Sequence, residues 1–274
     1  MLLLDLNVGG RLTWEKKEVQ VDYVDRVASR LNFNSDLFEE SWTEFSPRVA
    51  MTWRPSRAVS LFGSVTEGFT AGGFNTEEDT PEVIGRPFDP ERLLAYELGT
   101  KTTWLEDRVR LNLTLFHQDY QDKQEGFLDP QFNFVIVNAA EATMDGAELE
   151  THWRPVPSAR LRAIYSYLDA TYDRFLIAHT GENRSGNFLS TSPKHSYSVG
   201  GDWTVPAGAG EVAFAASYAW QDDYFTGSEN RPTFLIDAYS LLDASASYAS
   251  PSRLWRVTLW GRNLLDEEYV LIRS

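Results

Sequence analysis

Histidine and acidic side chains are the residues of this sequence best suited to metal binding or acid–base chemistry. The four histidines are His117, His152, His179 and His195. A helical zinc site needs two histidines at positions i and i+4, and no pair has that spacing. No nucleophile stands out beside a base and an orienting group. We therefore predict no catalytic residue, no metal site and no enzymatic activity.

The acidic segment 77–82, Glu-Glu-Asp-Thr-Pro-Glu, offers oxygen ligands of the kind that Ca²⁺ prefers. It lacks the spaced Asp and Asn positions and the glycine of a calcium-binding loop, so we interpret it as a solvated loop tip. Cysteine is absent, which excludes a disulfide framework, a thiolate metal site and a cysteine nucleophile. We expect no cofactor.

The composition excludes one class of partner and one class of membrane protein. The net charge of −15 argues against nucleic acid, because a phosphate backbone requires clustered lysine and arginine. No window approaches the run of about 20 apolar residues that a transmembrane helix requires. The aromatic content is nevertheless 14 %, which indicates a protein with apolar rings on one surface and polar groups on another.

Strict alternation of apolar and polar residues runs through most of the chain. In the segment 108–116, one face carries Val109, Leu111, Leu113 and Leu115. The intervening residues are polar, and the segments 57–66 and 211–220 behave alike. Successive side chains of a strand point to opposite faces, so each segment predicts a strand with one apolar side and one polar side.

Turn signals divide these segments into about eleven strands. The predicted strands are 1–16, 44–54, 57–68, 92–104, 107–120, 132–154, 158–172, 194–205, 210–222, 237–249 and 253–264. Short breaker clusters alternate with long polar stretches near 17–43, 70–90, 121–131, 174–191 and 222–236. Short turns at one end and long loops at the other are typical of an outer-membrane barrel. The predicted fold class is all-β, an antiparallel up-and-down transmembrane β-barrel that is only partly present.

An aromatic residue stands before each short turn. The five residues are Trp53, Trp104, Trp153, Trp203 and Tyr248. Each shares the parity of the apolar face of its strand, so we predict a row of rings at the boundary between lipid headgroups and acyl chains. A soluble sandwich with aromatic strand ends and a propeller with a repeat of about 50 residues are the alternatives.

Six groups of short motifs resemble those of the TonB-dependent outer-membrane receptors. They are residues 65–75 (VTEGFTAGGFN); 88–91 (FDPE) before 96–101 (YELGTK); 138–142 (NAAEA) before 146–150 (GAELE); 165–170 (YSYLDA); 192–195 (SPKH); and 263–269 (NLLDEEY). Their order and spacing cover nearly the whole chain and are similar to the C-terminal half of the barrel of that family. We expect residues 1–274 to form one domain, the C-terminal portion of such a barrel.

The resemblance implies a function in the bacterial outer membrane. Such receptors bind a scarce nutrient, often a ferric siderophore or another small-molecule iron chelate, in their outer loops. They import it with energy passed from the TonB–ExbB–ExbD complex to an N-terminal plug domain inside the barrel. We expect the plug and the final strand of the barrel to lie outside this chain, and outer-membrane lipid to surround the wall.

The resemblance also suggests where ligand and plug would make contact. Loop residues that could touch a ligand are Phe69, Phe74, Tyr224, Phe225, Arg231 and Phe234. Charged residues of the polar face, Arg110 and Glu150 among them, would line the lumen and contact the plug. A passive porin or adhesin barrel and a soluble β-rich binding module remain alternative functions.

Three small features are predicted to shape the backbone. Gly72 and Gly73 are expected to close a strand through positive φ angles. Gly146 is expected to introduce a β-bulge into a long strand. Asn263 and Asp266 are expected to cap a turn with their side chains.

Overall fold

Eleven long strands make up the body of the protein. The computed structural model describes residues 3–25, 30–34, 37–76, 85, 87–128, 134–177 and 180–272. The strands are β1 (Leu3–Val19), β2 (Phe38–Ser56), β3 (Val59–Thr70), β4 (Glu91–Trp104), β5 (Val109–Leu128), β6 (Phe134–Trp153), β7 (Ala159–Ile177), β8 (His195–Ala207), β9 (Gly210–Gln221), β10 (Tyr239–Ala249) and β11 (Arg256–Gly261). The predicted number and type of elements are confirmed.

Every long strand pairs with its neighbour in the sequence, and every pairing is antiparallel. The sheet therefore runs up and down from β1 to β11 without a crossover. A two-residue strand, Glu182–Asn183, adds to the free part of β7. Among the described residues β1 and β11 each pair on one side only, so the sheet is a partial barrel that is not closed.

Short and long connections alternate along the chain, as predicted. Each turn at one end of the sheet spans only a few residues, and Leu105, Glu106 and Asp107 all have positive φ in one of them. The connections at the other end carry three small hairpins, Asp22–Asp25 with Arg30–Asn34, Gly73–Phe74 with Pro87–Phe88, and Tyr224–Phe225 with Leu235–Ile236. A single 3₁₀ turn covers Pro232–Phe234. No helix among the described residues is long and apolar enough to cross a membrane.

Several strands run further toward the long loops than the sequence indicates, and the largest extensions are those of β2, β5 and β7. β2 begins at Phe38, β5 continues to Leu128 and β7 continues to Ile177, although these stretches were predicted to be loops. A small apolar core stabilises the extended parts of β5 and β7 against β6. It consists of Phe127, Ala140, Ala142, Ala170, Tyr172, Phe175, Ile177 and Leu189. Tertiary packing thus outweighs the polar composition of these segments.

The predicted roles of three glycines are wrong in detail. Gly146 pairs in regular register with Phe116 and Leu168, and the register irregularities of this strand lie between Asn138 and Ala142. A side chain at position 146 would enter the ring of Phe116, so glycine is needed there for close packing. Similarly, neither Gly72 nor Gly73 has a positive φ.

The turn predicted at residues 263–266 is present. The Asn263 side chain accepts the backbone N–H of Glu267 at 3.0 Å and donates to the carbonyl of the same residue at 2.9 Å. Asn263 and Asp266 both have positive φ, and Asp243 accepts the backbone N–H of Asn263 at 2.8 Å. The turn is therefore fixed to β10.

Candidate functional site

One face of the sheet is apolar and exposed. On β1, Leu4, Leu6 and Val8 have exposures of 63 %, 67 % and 68 %. They lie opposite Trp53, Met51 and Val49 of β2, so the apolar stripe continues across strands. The outward-facing residues of later strands include Leu98, Leu115, Val199 and Phe214, all exposed. An exposed apolar surface of this extent marks a face that meets another apolar phase.

The predicted aromatic row lies on that same face. Trp53, Trp104, Trp153 and Trp203 are 42 %, 56 %, 45 % and 51 % exposed. Trp104 and Trp153 both lie opposite Val109, so they share one level of the sheet. The fifth residue, Tyr248, is half-buried.

The opposite face is polar and carries paired charges. Arg160 donates its Nε to both oxygens of Asp202, at 3.0 and 3.1 Å. Glu150 accepts from Asn112 at 2.9 Å, and its other oxygen lies 2.8 Å from His152. The Arg160–Asp202 and Asn112–Glu150 contacts join neighbouring strands, so the wall itself orders this part of the polar face.

The first two ligand candidates lie at the end of β3 and in the connection that follows it. Phe69 is half-buried and lies opposite Arg92. The ring of Phe74 packs at 6.4 Å from that of Trp42, which is 8 % exposed. Phe74 therefore packs the loop against the wall, whereas Phe69 is part of the wall itself.

Side-chain amides fix this connection to β5 and β6 near the ends of those strands that lead into the long loops. Asn75 donates to the carbonyl of Ile136 at 2.9 Å and accepts its N–H at 2.8 Å. Asn138 makes the same kind of pair with Asp89, at 2.7 Å in each direction. Gln124 donates to the carbonyl of Asp89 at 3.0 Å. Motif residues of the sequence thus anchor a loop.

The other four candidates belong to the connection between β9 and β10. Tyr224 is 7 % exposed and donates its hydroxyl to the carbonyl of Leu271 at 3.1 Å. Phe225 and Phe234 are half-buried within the same connection, whereas Arg231 is exposed. Of the four, Arg231 therefore offers the most accessible side chain to a ligand.

Arg184 joins this connection to the one between β7 and β8. Its side chain is 6 % exposed, and its guanidinium donates to Ser228 at 2.7 Å, to Glu182 at 3.1 Å and to Glu229 at 3.1 Å. It also lies 5.4 Å from the ring centre of Phe175. The hydrogen bond from Arg184 holds the pKa of Glu182 below its usual range. The sequence does not reveal this role, because Arg184 and Ser228 are 44 positions apart.

The residues first considered for metal or acid–base chemistry do not form a common centre. His117 contacts Asp145 at 2.8 Å on the outward face, while His195 packs against Tyr165 and Tyr167. Among the described residues, no group of three or more His, Cys, Asp or Glu side chains is arranged to hold a metal ion. His179 and the acidic segment 77–82 lie outside the described residues.

Comparison with known proteins identifies the sheet. The family model described as "TonB dependent receptor-like, beta-barrel" matches residues 3–264. The metal-pseudopaline receptor CntO of Pseudomonas aeruginosa is 26 % identical over 252 residues, which cover 89 % of this chain and 33 % of that protein. The probable TonB-dependent siderophore receptor PiuA of Acinetobacter baumannii is 23 % identical, over 97 % of this chain and 35 % of that protein.

A solved structure agrees on the fold. The ferric yersiniabactin uptake receptor FyuA of Yersinia pestis superposes with a TM-score of 0.81 at 19 % identity, covering 97 % of this chain and 38 % of the receptor. The chain therefore spans about a third of the length of the curated relatives that it matches. It belongs to the TonB-dependent receptor family and forms part of the β-barrel wall that such receptors place in the bacterial outer membrane.

Proposed function

We propose that this chain is part of a receptor that imports a scarce nutrient as a metal chelate, such as a ferric siderophore. One observation carries the proposal: a single antiparallel sheet has an exposed apolar face on one side and an ion-paired polar face on the other. Such a sheet suits a wall between lipid and an aqueous lumen. The names of the matched relatives, a metal-pseudopaline receptor and a probable siderophore receptor, support a chelated metal as cargo.

The long-loop end is the proposed ligand entrance. Arg184 and the amide pairs of Asn75 and Asn138 give these loops a fixed shape. A fixed loop shape lowers the entropic cost of binding a rigid ligand. Arg231 adds an exposed cation, which would attract the anionic groups of a chelate.

Lipid and a plug are the proposed partners of the two faces. The exposed tryptophans of the aromatic row would lie at the headgroup boundary, where an indole keeps its ring in the apolar phase and its N–H near water. The polar face would contact a plug domain of the intact receptor, which would also couple transport to TonB–ExbB–ExbD. Its ordered ion pairs supply a charged surface for such a domain.

Uptake of radioactive iron tests this function. The gene for the intact receptor would be deleted, and iron uptake from a panel of siderophores would be measured with and without a plasmid copy. We expect the plasmid to restore uptake of at least one chelate in a tonB-positive strain and to restore none in a tonB-null strain.

Two results would contradict the proposal. Equal restoration in both strains would indicate a passive porin. Restoration of no chelate, with the receptor present and folded in the outer membrane, would remove metal chelates as its cargo.

A further inference from the structure

The long connections carry most of the net negative charge of the chain. These connections and the strand ends beside them are covered by residues 17–43, 70–90, 121–131, 174–191 and 222–236. The five segments contain 18 acidic and 8 basic residues, which gives −10 of the total net charge of −15. Because the strands run up and down without a crossover, the described parts of all five segments lie at the same end of the sheet. This long-loop end is therefore strongly acidic.

The short-turn end of the sheet has the opposite charge. The short turns and the strand ends beside them are residues 53–58, 104–110, 152–162, 203–211 and 248–256. They contain nine arginines and three acidic residues. The acidity is therefore a property of the long-loop end and does not follow from the composition of the chain as a whole.

Two cations of the long-loop end are neutralised by carboxylates of the same end. The Lys123 amine lies 2.7 Å from Glu125, and both side chains are largely buried. The guanidinium of Arg184, which is 6 % exposed, lies 3.1 Å from Glu182 and 3.1 Å from Glu229. These two cations therefore contribute little to the field that an approaching ligand meets.

Arg231 is exposed, but its charge is also partly balanced within the loops. The pKa of Glu182 is held below its usual range first by the hydrogen bond from Arg184 and further by the positive charge of Arg231. Arg231 thus lies close enough to Glu182 for the two charges to interact.

Three aspartates lie at the two ends of the connection between β9 and β10. Asp222 and Asp223 directly follow β9, and Asp237 lies two residues before β10. Burial, together with the neighbouring Asp222 and Asp237, raises the pKa of Asp223. The three carboxylates therefore lie close enough to repel one another. The connection that they flank also carries four of the six candidate ligand contacts.

Charges of one sign around an entrance change the local concentration of charged ligands. Such a field raises the association rate of ligands of opposite sign by about 10- to 1,000-fold, and it disfavours ligands of the same sign. The effect falls off over about 8 Å at physiological ionic strength, so it is weakened by added salt.

We propose that the long-loop end selects its cargo by charge, admitting metal chelates whose net charge is positive or zero and repelling those whose net charge is negative. This inference rests on the proposed function, because it concerns the cargo of the same entrance. Arg231 can still contact one anionic group of a chelate whose net charge is positive.

Uptake of a matched series of ferric chelates tests the charge selection. Ferrioxamine B carries a free amine and one net positive charge; acetylation of the amine makes the complex neutral, and succinylation makes it negative by one charge. The three complexes share one metal site, so charge is their main difference. We expect receptor-dependent uptake of radioactive iron to be about tenfold faster from the cationic complex than from the anionic one. High salt should reduce this difference.

Two double variants assign the preference to the long-loop end. Asp222→Asn with Asp223→Asn should reduce the preference for the cationic complex. Glu106→Gln with Asp107→Asn is the matched control, because it removes the same charge from the exposed turn between β4 and β5. We expect the control to keep the preference of the wild type.

The charge of every chelate that the wider siderophore panel identifies is scored in the same way. Transport of anionic chelates alone, equal uptake across the ferrioxamine series, or a preference that salt leaves unchanged would each overturn the charge selection. In these cases the transport function stands, because a chelate is still imported.

If no chelate of the panel is imported, the proposed function fails, and fluorescence quenching then decides the charge selection by itself. The chain contains no cysteine, so Thr233→Cys and Ser158→Cys each place one label, at the long-loop end and in a short turn. Relative to neutral acrylamide, iodide should quench the label at position 233 less than the label at position 158, because the acidic end repels an anion. Equal quenching at the two positions would overturn the inference.

Discussion

Arg184 is surrounded by groups from two connections, and its environment determines what its replacement would do. Glu182 belongs to one connection, and Ser228 and Glu229 belong to the other. Because the guanidinium is 6 % exposed, its hydrogen bonds are shielded from solvent and its loss leaves carboxylates without their cation.

We expect Arg184→Met to open the segment 182–191. The cost is smaller than the about 3–5 kcal/mol of a fully buried ion pair, because Glu182 and Glu229 are 38 % and 22 % exposed, and the loss is local to the loops. Hydrogen exchange would show the effect at the amides of Gly186 and Leu189, which are bonded to Tyr172 and Ala170. Arg231→Met, at an exposed position, is the control, and equal exchange in the two variants would contradict the role of Arg184.

Glu182 should make the same segment sensitive to acid. Its hydrogen bond from Arg184 lowers its folded pKa below the ordinary value of 4.5. A lowered carboxyl pKa stabilises the folded loop above pH 4.5, and this contribution is lost as the pH falls through the folded pKa. Exchange at Gly186 should therefore accelerate below that pH in the wild type. Glu182→Gln should show little of this change; an unaltered pH profile would exclude Glu182 as its source.

At the scale of elements, the loop between β3 and β4 depends on close contact with the wall. A side chain at Gly72 would meet the backbone carbonyl of Phe88 and the ring of Trp42, the latter at 2.7 Å. Lys17 also donates to the carbonyl of Gly72 at 2.6 Å. The backbone oxygen has no room to move, so the loop itself would have to shift.

Gly72→Ala should therefore destabilise the receptor, and Gly68→Ala should not. Overpacking of this kind costs about 1–3 kcal/mol. Gly68 lies four positions earlier and has no atom within 4 Å of an added Cβ, so its replacement controls for the change in backbone entropy. Thermal unfolding in detergent would compare the two variants. Equal midpoints would show that the loop tolerates a shift at position 72.

The elements differ in how far the sequence predicts them. Alternation at Val109, Leu111 and Leu113 predicts β5 and its outward face, because period 2 is a local property. The extension of β5 to Leu128 depends on packing against β6 and β7. A single sequence does not reveal which residues of other strands will pack there. The polar face shows the same limit: the polar parity of Arg110 and Arg162 is predictable, but their alignment on either side of His152 requires the register. The role of Arg184 cannot be predicted from the sequence, because Ser228 and Glu229 are remote from it in the chain.

At the scale of the whole molecule, the same substitution should lower the amount of folded receptor far more on the apolar face than on the polar face. Leu115 and Thr114 are consecutive residues of β5, and Leu115 is 47 % exposed on the apolar face. Thr114 lies opposite Glu148 on the polar face. Arginine on a lipid face costs about 2–4 kcal/mol at the centre of the bilayer, whereas a lumen face stays hydrated.

We expect Leu115→Arg to reduce the amount of folded receptor in the outer membrane far more than Thr114→Arg does. Heat-modifiable mobility on gels, applied to outer-membrane fractions, measures the folded amount. The opposite order of the two variants would mean that the assignment of the faces is reversed.

The bond network of Arg184 also limits how these loops can be exchanged between receptors. Transfer of residues 180–192 alone to another receptor would include Arg184 but not Ser228 or Glu229. The transferred loop would therefore lose the bonds of the guanidinium to those two residues. The two connections should therefore be inherited together: recombination that keeps both preserves the bonds of Arg184, and recombination between them breaks those bonds. New ligand specificities should accordingly be easier to obtain by swapping both loops as a pair.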